Sequence, residues 1–196
     1  STPQLSPLAS SEGLFTLADA PAEGNLGYAL TRFETVSGTT PTTRSSELSW
    51  ATPDPEAAPK APALWVSPDE VLVSRFGSVE VFARGGADGA GDEPVFQRSF
   101  PLLEAQGAVA IAADATSIYV VPANLDQSNG RAFGDRVLVY ERGEGASDVP
   151  VRALIPPDFA PGGIVGLALV GDLIALSMSD GDDAGAVLLF DLGASD

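Results

Sequence analysis

The sequence predicts an all-β chain assembled from a repeated unit of short strands, and three observations predict it. Apolar residues fall in runs of mostly four to six, each bounded by Gly, Pro, Asp or Asn, which is a strand length rather than a helix length. No window sustains the i, i+3, i+4, i+7 spacing of an amphipathic helix. One pattern occurs three times without gaps: two aliphatic residues separated by one position, an aromatic, two variable positions and a glycine.

Taken in order, residues 1–12 read as a flexible leader. The opening Ser1-Thr2-Pro3-Gln4-Leu5-Ser6-Pro7 has neither a basic nor an apolar stretch of the signal-peptide kind. Its Ser/Pro-rich character is expected of a spacer left when a signal or lipid anchor is removed, or equally of an arbitrary boundary. Residues 13–196 are expected to form a single domain. Leu14–Leu17 and Tyr28–Phe33 carry strand-like aromatic and β-branched content. Ser37–Ser46 is Thr/Ser-rich, is punctuated by Pro41 and reads as a loop. Residues 51–62 hold Pro53, Pro55, Pro59 and Pro62, a density that forbids helix and central strand and predicts an extended connector.

From Ala63 the strands come in sets. Leu64–Val66, Val71–Val73 and Val79–Phe82 precede a further strand at Val95–Phe100. Val109–Ala112, Ile118–Val121 and Val137–Tyr140 precede one at Val151–Ile155. Val165–Leu169, Leu173–Leu176 and Val187–Leu192 complete the third set. Pro101–Ala113 is the one stretch that competes as a helix, and Gly107 weakens it.

The repeated pattern itself is Val79-Glu80-Val81-Phe82-Ala83-Arg84-Gly85, Val137-Leu138-Val139-Tyr140-Glu141-Arg142-Gly143 and Val187-Leu188-Leu189-Phe190-Asp191-Leu192-Gly193. The starts are 58 and 50 residues apart, a spacing that suits four-stranded units plus loop insertions. Inner strands packed between neighbouring units become nearly continuous apolar runs, and glycine lets the chain reverse after the third strand. Over residues 63–193 the chain resembles β-propeller repeats of the NHL or YVTN kind. That resemblance implies a propeller-like fold of about four blades, or a partial propeller, counting a divergent N-terminal unit. The same strands packed as a two-sheet β-sandwich are the alternative. The third unit lacks its outer strand, and Leu14–Leu17 or Tyr28–Phe33 is expected to complete it.

Composition removes whole classes of chemistry. There is no histidine and no cysteine, so a Ser-His-Asp triad, imidazole or thiolate metal ligands, a thiol nucleophile and disulfides are all excluded. What remains is carboxylates, hydroxyls, nine arginines, Lys60, Tyr28, Tyr119 and Tyr140. A net charge of −17 with no basic stripe opposes nucleic-acid binding. No apolar run approaches the roughly 20 residues of a spanning helix, so no transmembrane segment is expected.

Candidate sites lie in loops. The segments between second and third strands differ most among the units: Phe76-Gly77-Ser78 in the first, Pro122–Asp135 in the second and Ser179–Gly185 in the third. Such loops project from one face of the unit, where binding surfaces sit. Asp180, Asp182 and Asp183 are the candidate metal ligands, since calcium takes six to eight oxygens and alternating Asp on a glycine-bent loop supplies several. No distal glutamate follows, and a solvated turn explains the same residues. Asp126, Ser128 and Asn129 are a poorer match, and Asp88, Asp92 and Glu93 read as a glycine-rich loop. Trp50 and Trp65 flank no distinctive acid pair, and both are expected to pack. Arg84, Arg98, Arg142 and Arg152 are expected to pair with the surplus carboxylates on the outer face.

These features predict a non-enzymatic interaction module that engages a protein or glycan through loops on one face, with no cofactor other than calcium. Its expected location is secreted, periplasmic or at the cell surface. A carboxylate-dependent polysaccharide-active enzyme and a structural subunit of an extracellular assembly are the alternatives. No catalytic residue is assigned.

Overall fold

The computed structural model describes residues 6–10, 13–22, 25–33, 47–51, 63–75, 77–84, 94–102, 105, 107–125, 132–143, 145–157, 163–179 and 185–193, with 6–51 described by their main chain. All regular structure among them is β, and no helix is long and apolar enough to cross a membrane. The competing helix at Pro101–Ala113 is absent. Its start closes one strand and its end, Ala108–Ala113, forms another.

The strands run β1 (Ser6–Ser10), β2 (Gly13–Ala22), β3 (Asn25–Phe33), β4 (Glu47–Ala51), β5 (Leu64–Val66), β6 (Glu70–Arg75), β7 (Ser78–Ala83) and β8 (Val95–Pro101). They continue as β9 (Ala108–Ala113), β10 (Ser117–Pro122), β11 (Asn124–Leu125), β12 (Ala132–Phe133), β13 (Val137–Glu141), β14 (Arg152–Leu154), β15 (Gly163–Val170), β16 (Leu173–Ser179) and β17 (Gly185–Asp191). Sheet order follows the chain: β1-β2-β3-β4, β5-β6-β7-β8, β9-β10-β13-β14 and β15-β16-β17, with β11-β12 a separate hairpin. Successive up-and-down antiparallel sheets of this kind are the build of propeller blades, so the chain is all-β and propeller-like. The three repeated motifs are β7, β13 and β17, the third strand of each of the last three sheets.

Two compact units divide the chain, residues 1–76 with 80–99 and residues 77–79 with 100–196. The first holds β1–β6 and most of β7 and β8. β1 falls inside the segment 1–12 that reads as a leader, and it pairs with β2 from Ser6 opposite Leu17 to Ser10 opposite Gly13. β2 pairs with β1 and β3, and β3 with β2 and β4. This corrects the expectation that Leu14–Leu17 or Tyr28–Phe33 completes the last sheet: a strand has two hydrogen-bonding edges, and in β2 and β3 both are taken. Among the described residues the β15–β17 sheet has three strands. The connector at 51–62 lies outside the described residues apart from Ala51, which ends β4, as does the loop at 37–46.

In β6, Val71, Leu72 and Val73 are all buried, and in β10 so are Ile118, Tyr119, Val120 and Val121. Side chains alternate between the faces of a strand, so these strands are covered on both. β16 differs. Ile174, Leu176 and Met178 are buried, while Ala175 and Ser177 between them are partly exposed. Within the second unit, Tyr119, Val121, Val137 and Val139 of one sheet pack with Ile164, Ile174, Leu176 and Met178 of the next. Each fully buried aliphatic side chain of this size contributes about 1.5–3 kcal/mol, so this face-to-face layer holds the two sheets of the unit together. Trp65, expected in the core, is only partly buried.

The turns between first and second strands repeat one hydrogen-bond scheme. Ser67 Oγ accepts the amides of Asp69 and Glu70 at 3.3 and 3.0 Å. Asp114 Oδ1 accepts those of Thr116 and Ser117 at 2.7 and 2.8 Å. Two residues beyond the motif aromatic, Arg84 N donates to Asp69 O and Arg142 N to Thr116 O. The same arginines turn their guanidinium groups onto the carbonyls of Ser67 and Asp114. In the last sheet Leu192 N donates to Asp172 O, and Gly171, at φ +59°, makes the tighter turn that L side chains resist.

Candidate ligand-binding site

β10 ends at Pro122, the β11-β12 hairpin follows, and the chain re-enters the sheet at β13 through Gly134, Asp135 and Arg136. Val137 and Val139 face the neighbouring sheet, so Leu138 and Tyr140 project from the opposite face. There they join Ala105, Pro122, Asn124, Asp135, Arg136 and Pro150 around a cavity of about 370 Å³. Leu138 and Pro150 give it apolar walls over the buried Pro122 and Tyr140, and Asn124, Asp135 and Arg136 gather at the hairpin end.

Three of those groups are fixed in place. Asp135 takes Arg136 in a bidentate pair, with Nε on Oδ1 and Nη2 on Oδ2, both at 2.8 Å. That guanidinium holds the Asp135 carboxyl below its ordinary value, outweighing the upward push of partial burial. Both side chains are about half exposed, so the pair adds little stability but presents a flat, hydrogen-bonding edge. The third group is the Tyr140 hydroxyl, which donates to Pro101 O at 3.3 Å, while its ring lies 4.4 Å from that of Phe100 at 36°. Burial pushes the Tyr140 hydroxyl up in pKa, so it remains a neutral donor.

A second, more open cavity of about 390 Å³ sits against Ala115, Thr116, Glu141, Arg142, Gly145 and Ala146. Beside it lies the Asp114 turn. Burial raises the Asp114 carboxyl, and donors from Thr116, Tyr119 and Ser117 more than offset this and lower it. Tyr119 OH reaches Asp114 Oδ2 at 2.8 Å. Burial first, and the carboxylate second, push the tyrosine up.

Of the residues singled out from the sequence, Asp180, Asp182 and Asp183 lie outside the described residues, as do Asp126, Ser128, Asn129, Asp88, Asp92 and Glu93. Among the described residues no group of three or more Asp or Glu side chains is placed to hold a metal. The loop Pro122–Asp135 does contribute to a cavity, through both its ends. Arg84 and Arg142 reach main-chain carbonyls, a role beyond the pairing with surface carboxylates that the sequence predicts. The signal was present: both arginines follow their motif aromatic by two positions, and both turns begin with a side chain that accepts backbone amides. Asp135 and Arg136 carry no sequence signal beyond their charge.

No family model and no curated protein matches the chain, so the resemblance to NHL or YVTN repeats gains no support from a family model. Among solved structures the chain is similar to an α-L-arabinofuranosidase (CtGH43) from Clostridium thermocellum ATCC 27405, at 14% identity and a TM-score of 0.46. The match covers 89% of this chain, which spans 59% of the arabinofuranosidase.

Proposed function

We propose that the chain is a non-enzymatic binding module that takes the end of an oligosaccharide in the cavity between Asn124, Asp135, Arg136, Leu138 and Pro150. The observation that supports this is the cavity's division of chemistry. A sugar presents hydroxyls at its rim and C–H groups on its ring faces. The Asp135–Arg136 pair and Asn124 match the hydroxyls, and Leu138 and Pro150 match the C–H faces. Asp135 is the one carboxylate among the described lining residues, whereas glycoside hydrolysis uses two acids across the scissile bond. The setting for such a module is secreted, periplasmic or cell-surface.

Labelled protein on a printed oligosaccharide array, followed by calorimetric titration of the best binder, tests this reading. Asp135→Asn and Arg136→Ala, both at half-exposed positions, are expected to leave the melting temperature unchanged and to weaken binding about tenfold or more each, equivalent to about 1.4 kcal/mol. An array without binding, or an affinity that survives both substitutions, overturns it.

A further inference from the structure

The cavity beside Leu138 and Pro150 carries one carboxylate and one cation among its described lining residues, Asp135 and Arg136, and they are neighbours in the chain. Gly134, just before them, exchanges main-chain hydrogen bonds with Ile164, and Val137, just after them, begins β13. The pair therefore sits on backbone that is held at both ends. Arg136 gives Nε to Asp135 Oδ1 and Nη2 to Asp135 Oδ2, each at 2.8 Å, and both side chains keep about half of their surface exposed.

This arrangement treats two kinds of sugar differently. A uronic acid carries a carboxylate where the neutral sugar has a hydroxymethyl group. A planar carboxylate is held best by two parallel N–H groups of a guanidinium. In Arg136 those on Nε and Nη2 are already turned to Asp135. A second carboxylate brought to the same cation has to displace Asp135 or lie beside it, where like charges oppose each other. The guanidinium keeps the Asp135 carboxyl below its ordinary value, so the group is an anion at neutral pH. The net charge of −17 adds to the opposition.

Hydroxyls meet the opposite situation. An ionised carboxylate only accepts hydrogen bonds, and each of its oxygens has room for more than one donor. Asp135 can therefore accept sugar O–H groups while keeping Arg136, and the exposed Asn124 supplies an amide that both donates and accepts. We propose, resting on the reading of this cavity as an oligosaccharide site, that it selects uncharged sugars over the matching uronic acids, with Asp135 as the selecting residue. Asp135 accepts hydroxyl hydrogens from the neutral sugar, and it occupies the guanidinium edge that an acidic sugar needs.

An array printed with neutral oligosaccharides beside the same oligosaccharides ending in the matching uronic acid tests the proposal on the unaltered chain. Calorimetric titration of the best pair then measures the ratio of affinities. The neutral member is expected to bind at least about tenfold more tightly in low salt, and the ratio to shrink as salt screens these exposed charges. Asp135→Asn removes the anion and releases Arg136. This variant is expected to lose affinity for the neutral member, gain affinity for the uronate and so lower the ratio about tenfold or more, with an unchanged melting temperature. Binding of neither class overturns the oligosaccharide reading and the selectivity with it. Equal affinity for both members, tighter binding of the uronate, or a ratio that Asp135→Asn leaves unchanged overturns the selectivity alone.

Discussion

Gly134 and Ile164 exchange both of their main-chain hydrogen bonds, at 2.8 and 2.7 Å, joining the loop after β12 to the start of β15. The bridge fixes the chain just before Asp135, so the hairpin end of the cavity is tied to the neighbouring sheet. Close approach requires glycine here: a Cβ on Gly134 would lie 2.2 Å from Val121 Cγ1 and 3.0 Å from Pro122 O.

Gly134→Ala is therefore expected to cost about 1–3 kcal/mol, because Val121 is fully buried and has no room to yield. Gly163→Ala meets the Phe133 ring, whose nearest atom is 2.5 Å from the new Cβ. That Cβ also lies 2.7 Å from Phe133 Cβ, which is fixed to the main chain and is not cleared by swinging the ring, so a loss of similar size is expected. Thermal melts of the two variants check both: each kcal/mol corresponds to about 2–4 °C at this chain length.

The arginine clasps make a second, graded expectation. Arg142→Met keeps the apolar stem and removes the guanidinium from Asp114 O, for a loss of about 1 kcal/mol in this partly exposed site. Arg84→Met is expected to behave alike at Ser67 O. Leu192 occupies the same place in the last sheet without a guanidinium, so Leu192→Met stays within about 0.5 kcal/mol of the parent. Urea unfolding of the three variants separates a hydrogen-bonding role from packing at this position.

Acid stability reports on Asp114. Its folded carboxyl titrates below the unfolded value of 3.8, so the associated stability is present above that value and is lost as pH falls through the lower folded one. Asp114→Asn keeps an acceptor for the turn but removes the charge. The parent is expected to exceed this variant by about 1 kcal/mol at neutral pH. The gap closes below pH 3.8, and melting curves from neutral to strongly acidic buffer follow it.

Much of the fold is legible because it rests on local signals. Runs such as Val71–Val73 and Ile118–Val121 are continuous where both faces are covered, and the thrice-repeated motif marks the third strand of its sheet each time. The N-terminal strands β1 and β4 lack that signal: Ser6–Ser10 is polar and proline-bearing, and Glu47–Ala51 adjoins the proline-rich segment. The cavity is hardly legible at all. It depends on which way alternate residues of β13 point and on a glycine bridge to a strand 30 residues away, and neither Asp135 nor Arg136 advertises either fact. Burial also overrides composition at Glu80, a carboxylate only 3% exposed at the position that is leucine in the other two motifs.

Methyl-selective nuclear Overhauser spectroscopy of the labelled chain tests the packing on which the site depends. Cross-peaks are predicted between methyl groups of Val121, Val137 and Val139 and those of Ile164, Ile174, Leu176 and Met178, with none linking these to the methyls of Val187 or Leu189. Absence of contacts between the first two sets, or strong ones from Val187 and Leu189 into the same cluster, would contradict the face-to-face arrangement of the repeated sheets.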